Sequence, residues 1–211
     1  MGNSVDNLDY KWYSKLLGFS LKFRFSGREI DMTTSYDAAK FKAMVHYICA
    51  GCEDYRKLGA TKLNKVVLYA EREAYLHLGT GISSPRFVKR QFGPVPVAII
   101  PVLNELNEEK KIFIRERTVG GLIKRDFINL EEADISSFTP EQISIIDRVS
   151  HDVCHNHTAT SISLETHDDI WQMATIGEDL PMYTVFAVQG EVDEDDILWA
   201  HTEIERLEAV A

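Results

Sequence analysis

A short Gly-Pro-Val-Pro segment at residues 93–96 separates two stretches of helical spacing, and it constrains the fold more than any other feature. The stretch before it, TKLNKVVLYAEREAYL, repeats apolar residues at Leu63, Val66, Val67, Ala70 and Ala74. This spacing predicts an amphipathic helix with one buried face. Two prolines within four positions stiffen the backbone and remove two amide donors. We therefore expect a rigid turn after this helix, of the kind that suits a docking surface.

The first half of the chain is predicted to be helical. Helical spacing predicts four helices, at residues 36–58, 61–78, 85–92 and 96–107. Gly59 suits the left-handed end of the first helix, and Thr61 suits the N-cap of the second. Ser84 followed by Pro85 is typical of a helix start. The fourth helix is expected to begin irregularly, because Pro101 lacks an amide donor.

The second half begins with the best hairpin signal in the chain. β-Branched and aromatic residues flank Gly120 and Gly121, which predicts two antiparallel strands joined by a tight turn. The sequence TPEQ at 139–142 matches a capping box and predicts the next helix. A similar capping pattern, THDD at 166–169, predicts a short helix that ends near Gly177 and has Trp171 as its buried anchor.

These elements predict a mostly α fold of the α+β class. A helical domain would carry one small antiparallel β-hairpin, in a winged-helix-like order. We assign residues 1–31 to an N-terminal extension with a short strand at 21–25, and residues 32–190 to the helical domain. An alternative is that translation begins at Met32. Residues 191–211 are expected to form an acidic helix that packs on the same domain.

Charge is distributed unevenly along the chain, whose net charge is −10. Residues 1–148 have 22 basic and 19 acidic residues, whereas residues 149–211 have 1 and 14. An acidic surface repels nucleic acid and attracts a basic protein partner, although it also simply keeps a protein soluble. We expect a cytoplasmic protein with no membrane partner and no structural disulfide. The sequence shows no apolar run of spanning length, no secretory leader and only three cysteines.

Motifs for common catalytic chemistries are missing from the sequence. It contains no G-x-S-x-G, no P-loop and no G-x-G-x-x-G, which favours a non-enzymatic role without a cofactor. His151, Cys154 and His155 could hold zinc, but no second pair of ligands has the customary spacing, so no metal site is expected. Cys49 and Cys52 have the spacing of an oxidoreductase motif without the strand–helix–strand context that such a motif needs.

A basic cluster suggests an alternative function. Five cations lie near the Gly-Pro-Val-Pro segment, at Lys62, Lys65, Arg86, Lys89 and Arg90. With a winged-helix-like order of elements, such a patch could contact DNA, and the protein would regulate its own operon. The acidic balance of the whole chain makes DNA the less favoured partner.

Three motifs in order resemble the Panacea domain, the SocA-like antitoxin domain. The first is a helix of the form t-K-L-n-K-l-l-Y-a, here Thr61, Lys62, Leu63, Asn64, Lys65, Tyr69 and Ala70. The second is G-P-V-p at 93–96. The third is a T-H-x-x-x-x-W-like element, here the one-residue-shorter THDDIW at 166–171, followed by a G-E-x-x-P turn at 177–181. The resemblance covers about residues 36–188.

The resemblance implies a mostly helical antitoxin that binds a cognate toxin directly, and some members act as adapters that hand the toxin to a protease. No catalytic residue is implied. A protease and a second copy of the chain are further candidate partners. Because aromatic residues and Arg dominate binding hot spots, the candidate contacts are Lys62, Lys65, Tyr69, Arg72, Arg86, Lys89, Arg90, Phe92, Gly93, Pro94, Val95 and Pro96. Residues expected to build the fold are Leu63, His167, Trp171 and Pro181.

Overall fold

The computed structural model describes residues 22–25, 28–31 and 35–185. These residues form six α-helices: α1 (Ala38–Gly51), α2 (Tyr55–Leu78), α3 (Ile99–Glu108), α4 (Pro140–Asn156), α5 (Ala159–Glu165) and α6 (Asp169–Met173). They also form three two-stranded antiparallel sheets: β1 (Lys22–Phe25) with β2 (Arg28–Asp31), β3 (Phe87–Arg90) with β4 (Gly93–Pro96), and β5 (Ile112–Val119) with β6 (Leu122–Asn129). The predicted fold class, mostly helical α+β, is confirmed.

Helix α2 lies at the centre of the molecule. It packs against α1, against α4 and against the β3–β4 and β5–β6 hairpins. Its predicted apolar face is buried: Leu63, Val66, Val67, Ala70 and Ala74 have no exposed surface. Burying a Leu or Val side chain completely contributes about 1.5–3 kcal/mol each. The hydrophobic core is therefore organised around the helix that the sequence identified.

The boundary between the first two helices differs from the prediction. Helix α1 ends at Gly51, and the side chain of Asp54 caps α2 by accepting a hydrogen bond from the backbone N–H of Arg56. Gly59 has the expected positive φ of 63°, but it lies at a kink inside α2. Thr61 is consequently inside the helix and is not its cap. The apolar spacing continues across both breaks, which is why it could not locate the boundary.

The predicted helix at 85–92 is wrong, because this segment forms a β-hairpin with the Gly-Pro-Val-Pro segment. Ser84 has a φ of 53°, which no helix start allows. The opposite edge of β3 pairs with residues 177–180: the N–H of Lys89 donates to Glu178 O and the N–H of Leu180 donates to Phe87 O, both at 2.9 Å. These partners come from about 90 residues later in the chain, so local spacing could not reveal them.

Helix α3 begins three residues later than predicted, because Pro96 belongs to β4. Pro101 is the third residue of α3. An amide at this position would have no partner within the helix, so the proline causes no loss of hydrogen bonding. Pro101 therefore gives α3 no reason to begin irregularly.

The hairpin of β5 and β6 confirms the prediction, with Val119 opposite Leu122. Gly120 and Gly121 both have positive φ, 58° and 80°, as a two-residue type I′ turn requires. Helix α4 begins with the predicted capping box of Thr139 and Gln142. This hairpin follows α3 directly in the chain, as predicted.

The end of the described chain contains one helix that the sequence did not predict, α5, which begins with a capping box of Thr158 and Ser161. The short helix predicted from THDD is present as α6, but its cap is Asp168 and not Thr166, which ends α5 instead. Helix α6 ends at Met173, before Gly177. A 3₁₀ turn, Met182–Thr184, follows. No helix within the described ranges is long and apolar enough to cross a membrane.

At the N-terminus, the strand predicted at 21–25 is present as β1. Met32, the alternative translation start, and the acidic helix predicted at 191–211 lie outside the described residues.

Candidate functional site

The side chain of Lys65 connects α2 to the β3–β4 hairpin and to the end of α5. It is 1% exposed, and its Nζ donates a hydrogen bond to Thr166 Oγ1 at 2.6 Å. Burial lowers the pKa of Lys65 to about 7, and the positive charge of Arg72 adds to this effect. Gly93, with a φ of 104°, passes so close that a Cβ there would collide with Nζ. The side-chain nitrogen of Lys65 therefore occupies the space that a Cβ at position 93 would need.

Lys89 on β3 is buried in a similar way. Its Nζ donates to Ala174 O at 2.9 Å and lies 4.0 Å from the centre of the Trp171 ring. Carbonyl acceptance and a cation–π contact together compensate for part of its lost hydration. The indole Nε1–H of Trp171 donates in turn to Arg90 O at 3.2 Å. Helix α6 is thus fastened to the hairpin at two points.

Asp168 connects the same helix to α2. Its Oδ2 accepts from Arg72 Nη2 at 2.9 Å, and its Oδ1 accepts from the backbone N–H of Trp171 as the N-cap of α6. The ring of His167 stacks on Trp171, with centroids 3.7 Å apart. Burial lowers the pKa of His167, and the charges of Lys65 and Lys89 add to this effect. The imidazole is consequently biased toward its neutral form.

Lys62 extends these contacts toward α4. It is 8% exposed, and its Nζ donates to Cys154 O at 3.2 Å. Through Lys65, the K-L-n-K motif meets the G-P-V-p and T-H-D-D-I-W motifs. We use the name motif network for the buried and half-buried residues Lys62, Lys65, Arg72, Lys89, Gly93, Thr166, His167, Asp168 and Trp171.

Six of the twelve residues proposed as contacts are buried in the structure, and three more are half-buried. Buried among them are Lys62, Lys65, Lys89, Gly93, Pro94 and Pro96, whereas Tyr69, Arg72 and Val95 are half-buried. Of the residues expected to build the fold, Leu63 is fully buried, His167 and Trp171 are half-buried, and Pro181 is exposed. The half-buried position of Trp171 differs from the buried anchor expected for it.

Three proposed contacts remain on the surface. Arg86 is exposed and lies 3.5 Å from Asp179, and Arg90 and Phe92 are exposed at the tip of the hairpin. Phe92 is 60% exposed. Ser163 Oγ donates to Phe92 O at 2.9 Å, which places α5 and its exposed Leu164 beside the turn. We call Arg90, Phe92 and Leu164 the hairpin-tip surface.

Sequence reasoning did not identify Glu71, which fixes the approach to the hairpin. This carboxylate is 1% exposed and accepts hydrogen bonds from the backbone N–H groups of Ile82, Ser83 and Ser84 and from Ser83 Oγ. Burial raises the pKa of Glu71, and these four donors oppose that shift. The sequence feature that could have identified Glu71 is its position, as a charged residue, on the apolar face of α2.

The histidine-rich end of α4 has other partners than a metal. The rings of His151 and His155 stack 4.4 Å apart, and His157 lies between Asp152 and Glu165 at 3.4 and 3.1 Å. Among the described residues, no group of three His, Cys, Asp or Glu side chains is placed to hold a metal ion. A pocket of about 430 Å³ beside these residues is lined mainly by Tyr69, Glu73, Arg148, His151, Asp152, Ile162 and Glu165.

The cations of the β5–β6 hairpin are largely paired. Asp126 is fully buried, and its carboxylate lies 3.1 Å from Arg115, 2.6 Å from Arg117 and 3.9 Å from Lys124. These interactions reduce the positive charge that the hairpin presents to solvent.

The fold and the motif network define a mostly helical α+β domain whose most recognisable residues hold one hairpin in place. The chain belongs to the family of antitoxin SocA-like proteins with the Panacea domain, whose family model matches residues 63–172, or 110 of the 211 residues. Membership of an antitoxin family supports an antitoxin role in general, and with it a toxin as partner. Comparison with curated proteins gave no match, and neither did comparison with solved structures.

Proposed function

We propose that this protein is a non-enzymatic antitoxin that neutralises its cognate toxin by direct binding through the hairpin-tip surface. The observation that supports this proposal most strongly is the exposure of Phe92. Phe92 is 60% exposed at the tip of a hairpin in which Gly93, Pro94 and Pro96 are buried and Val95 is half-buried. Aromatic and Arg side chains contribute most of the energy at protein interfaces, and Arg90 lies two residues away.

The hairpin tip is preorganised for binding. The carbonyl oxygen of Arg90 accepts from Trp171 Nε1, and that of Phe92 accepts from Ser163 Oγ. Both backbone positions are therefore fixed by other elements before a partner arrives. Fixing a contact residue in advance reduces the conformational entropy lost on binding. In this arrangement the motif network holds the tip, and the exposed side chains determine which toxin is bound.

Paired variants test the proposed surface. The cognate toxin is sought among small proteins encoded by reading frames adjacent to the gene of this chain. Arg90→Ala with Phe92→Ala should abolish co-purification of the full chain with that toxin. The unfolding midpoint should change little, because both side chains are exposed. Ile123→Ala, which removes an apolar side chain that is 71% exposed on the β5–β6 hairpin, is the matched control and should leave co-purification intact. Retained co-purification in the double variant would exclude the hairpin-tip surface.

The mode of neutralisation is tested separately. If the antitoxin blocks the toxin, the half-life of the toxin in cells should stay the same when the antitoxin is co-expressed. If the antitoxin is an adapter, the half-life should fall, and inactivating the cell's ATP-dependent proteases should restore it. The molar mass of the purified complex by light scattering shows whether a second antitoxin copy takes part.

DNA-binding autoregulation remains the alternative function, because α3 is followed directly by the β5–β6 hairpin. Of the five cations in the basic cluster, Lys62, Lys65 and Lys89 are buried, which leaves Arg86 and Arg90 exposed. A gel shift on the protein's own promoter at low and high salt is the test, since phosphate contacts weaken steeply as salt is added. Lack of a shift at low salt would exclude the alternative.

A further inference from the structure

Cys52 and Cys154 lie in contact although 102 positions separate them in the sequence. Their Sγ atoms are 3.9 Å apart. Cys52 follows the last residue of α1, and Cys154 lies in the final turn of α4. All three cysteines of the chain are free thiols in this structure. A disulfide needs its sulfur atoms about 2.05 Å apart, so a small movement would allow the bond to form.

The two thiols differ in access. Cys52 is half-buried, with an extended backbone in the short connection between α1 and α2. Cys154 is 6% exposed and is held in a helix. The more accessible thiol is therefore also the one whose backbone can move. This is the arrangement needed for one sulfur to meet an oxidant and the other to react afterwards.

Neighbouring groups favour the thiolate of Cys52. The hydrogen bond with Cys154 lowers the pKa of Cys52 to about 7 against the effect of burial, and the charge of Lys62 acts in the same direction. The same interaction raises the pKa of Cys154. Lys62 is anchored there by its hydrogen bond to Cys154 O. The thiolate is the form that reacts with peroxides.

The third cysteine provides an internal comparison. Cys49 is 2% exposed within the hydrophobic core, and burial raises the pKa of its thiol. The spacing of Cys49 and Cys52 in the sequence suggests a pair, but the structure brings Cys52 to Cys154 instead.

We propose that Cys52 and Cys154 form a peroxide-reactive thiol pair that closes to a reversible disulfide between the α1–α2 connection and α4. The thiolate of Cys52 attacks one oxygen of a hydroperoxide, the O–O bond breaks, and the alkoxide or hydroxide leaves and takes up a proton. Cys52 is then a sulfenic acid. The sulfur of Cys154 attacks Cys52 Sγ and loses its proton, the S–O bond breaks, and water leaves. The hydroperoxide is reduced by two electrons and the two thiols are oxidised by two.

The test is intact mass after hydrogen peroxide treatment of the reduced full-length chain, with N-ethylmaleimide added under denaturing conditions. The reduced protein should take up three labels. The oxidised protein should take up one, and its mass before labelling should be lower by two hydrogens. Peptide mapping should show Cys52 joined to Cys154, and a thiol reductant should restore three labels. Three labels after treatment, or a Cys49–Cys52 bond, would overturn the proposal.

Variants separate the two steps. Cys49→Ala should still lose two labels on oxidation, whereas Cys52→Ser should lose none. Cys154→Ser should leave the sulfenic acid on Cys52, where dimedone would trap it. Each reduced variant should match the urea midpoint of the wild type within error before it is compared. If a variant unfolds, the peptide map of the wild-type protein still decides the outcome, because it identifies the bonded pair directly.

Discussion

At the scale of single residues, Gly93 and Lys65 explain why the G-P-V-p motif begins with glycine. Gly93 combines a φ of 104° with a contact to Lys65 Nζ and Thr166 Oγ1 that leaves no room for a Cβ. We expect Gly93→Ala to destabilise the protein by about 2–4 kcal/mol, because backbone strain and overpacking add. Urea unfolding measures this loss.

Gly121→Ala is the matched control for that prediction. Gly121 also has a positive φ, but a Cβ there would meet no atom within 4 Å. Only backbone strain applies, so the cost should be about 1–2 kcal/mol. Equal losses in the two variants would show that the contact with Lys65 does not constrain Gly93.

Lys65 should make stability depend on pH. Burial lowers the pKa of Lys65 to about 7 in the folded protein, whereas a lysine in the unfolded chain has its ordinary pKa of 10.5. Between these values the unfolded state binds more protons, so stability contributed at this site rises with pH by at most about 1.4 kcal/mol per unit. Below pH 7 the full cost of burying the charge remains.

The comparison with Lys65→Met isolates this effect. Lys65→Met should not show this rise of stability with pH. The unfolding free energy of the wild type minus that of the variant, measured in urea, should therefore increase from pH 7 to pH 9.5. Lys57→Met, which removes an exposed ammonium on the same helix, is the control. A difference between wild type and Lys65→Met that does not change with pH would contradict the assignment.

Residue types and spacing were enough to identify the apolar face of α2, the cap at Thr139, the presence of α6 and the two glycines of the β5–β6 turn. They could not separate the buried cations from the exposed ones. Lysine is usually a surface residue, so the sequence alone does not distinguish Lys62, Lys65 and Lys89 from exposed lysines. They are buried because segments that are distant in the sequence pack over them. Of the twelve proposed contacts, the structure leaves Arg86, Arg90 and Phe92 exposed.

At the scale of elements, the connection between α2 and the β3–β4 hairpin depends on Glu71. Two donors bind each carboxylate oxygen: Ser83 N and Oγ bind Oε1, and Ile82 N and Ser84 N bind Oε2. Glu71→Gln replaces one oxygen by an NH₂ group that faces two donors. We expect a loss of about 2–4 kcal/mol in unfolding free energy, because buried donors are left without acceptors.

Glu73→Gln tests whether this loss is specific. Glu73 is two residues further along α2 and pairs with Arg148 at the surface. Removing a partly exposed ion pair should cost about 0–1 kcal/mol. Similar costs for the two variants would mean that Glu71 is not the anchor of the connection.

The β3–β4 hairpin also shows where reading elements from local sequence fails. Ser84 and Pro85 have the chemistry of a helix start, and two prolines argue against a central strand. The strand forms because β4 needs few amide donors and because residues 177–180 complete the other edge of β3. The deciding hydrogen bonds connect segments that are far apart in sequence.

At the scale of the whole molecule, the family-model match at 63–172 covers most of the motif network but less than the described fold. Helix α1 precedes the match and contributes Phe41, Met44 and Ile48 to the core. Residues 177–180, which pair with β3, follow the matched region. The residues of the motif network are buried or half-buried, so the family motifs in it explain a shared fold better than a shared partner.

The central claim is that this chain protects cells from a toxin through the hairpin-tip surface. The most direct measurement is the growth of cells that express a candidate toxin, a small protein encoded by a reading frame adjacent to the gene, with and without the full-length chain. We expect growth to stop with the small protein alone and to recover when the wild-type chain or Ile123→Ala is co-expressed. Arg90→Ala with Phe92→Ala, present at equal levels, should not restore growth. Failure of the wild-type chain to protect, or full protection by the double variant, would contradict the account.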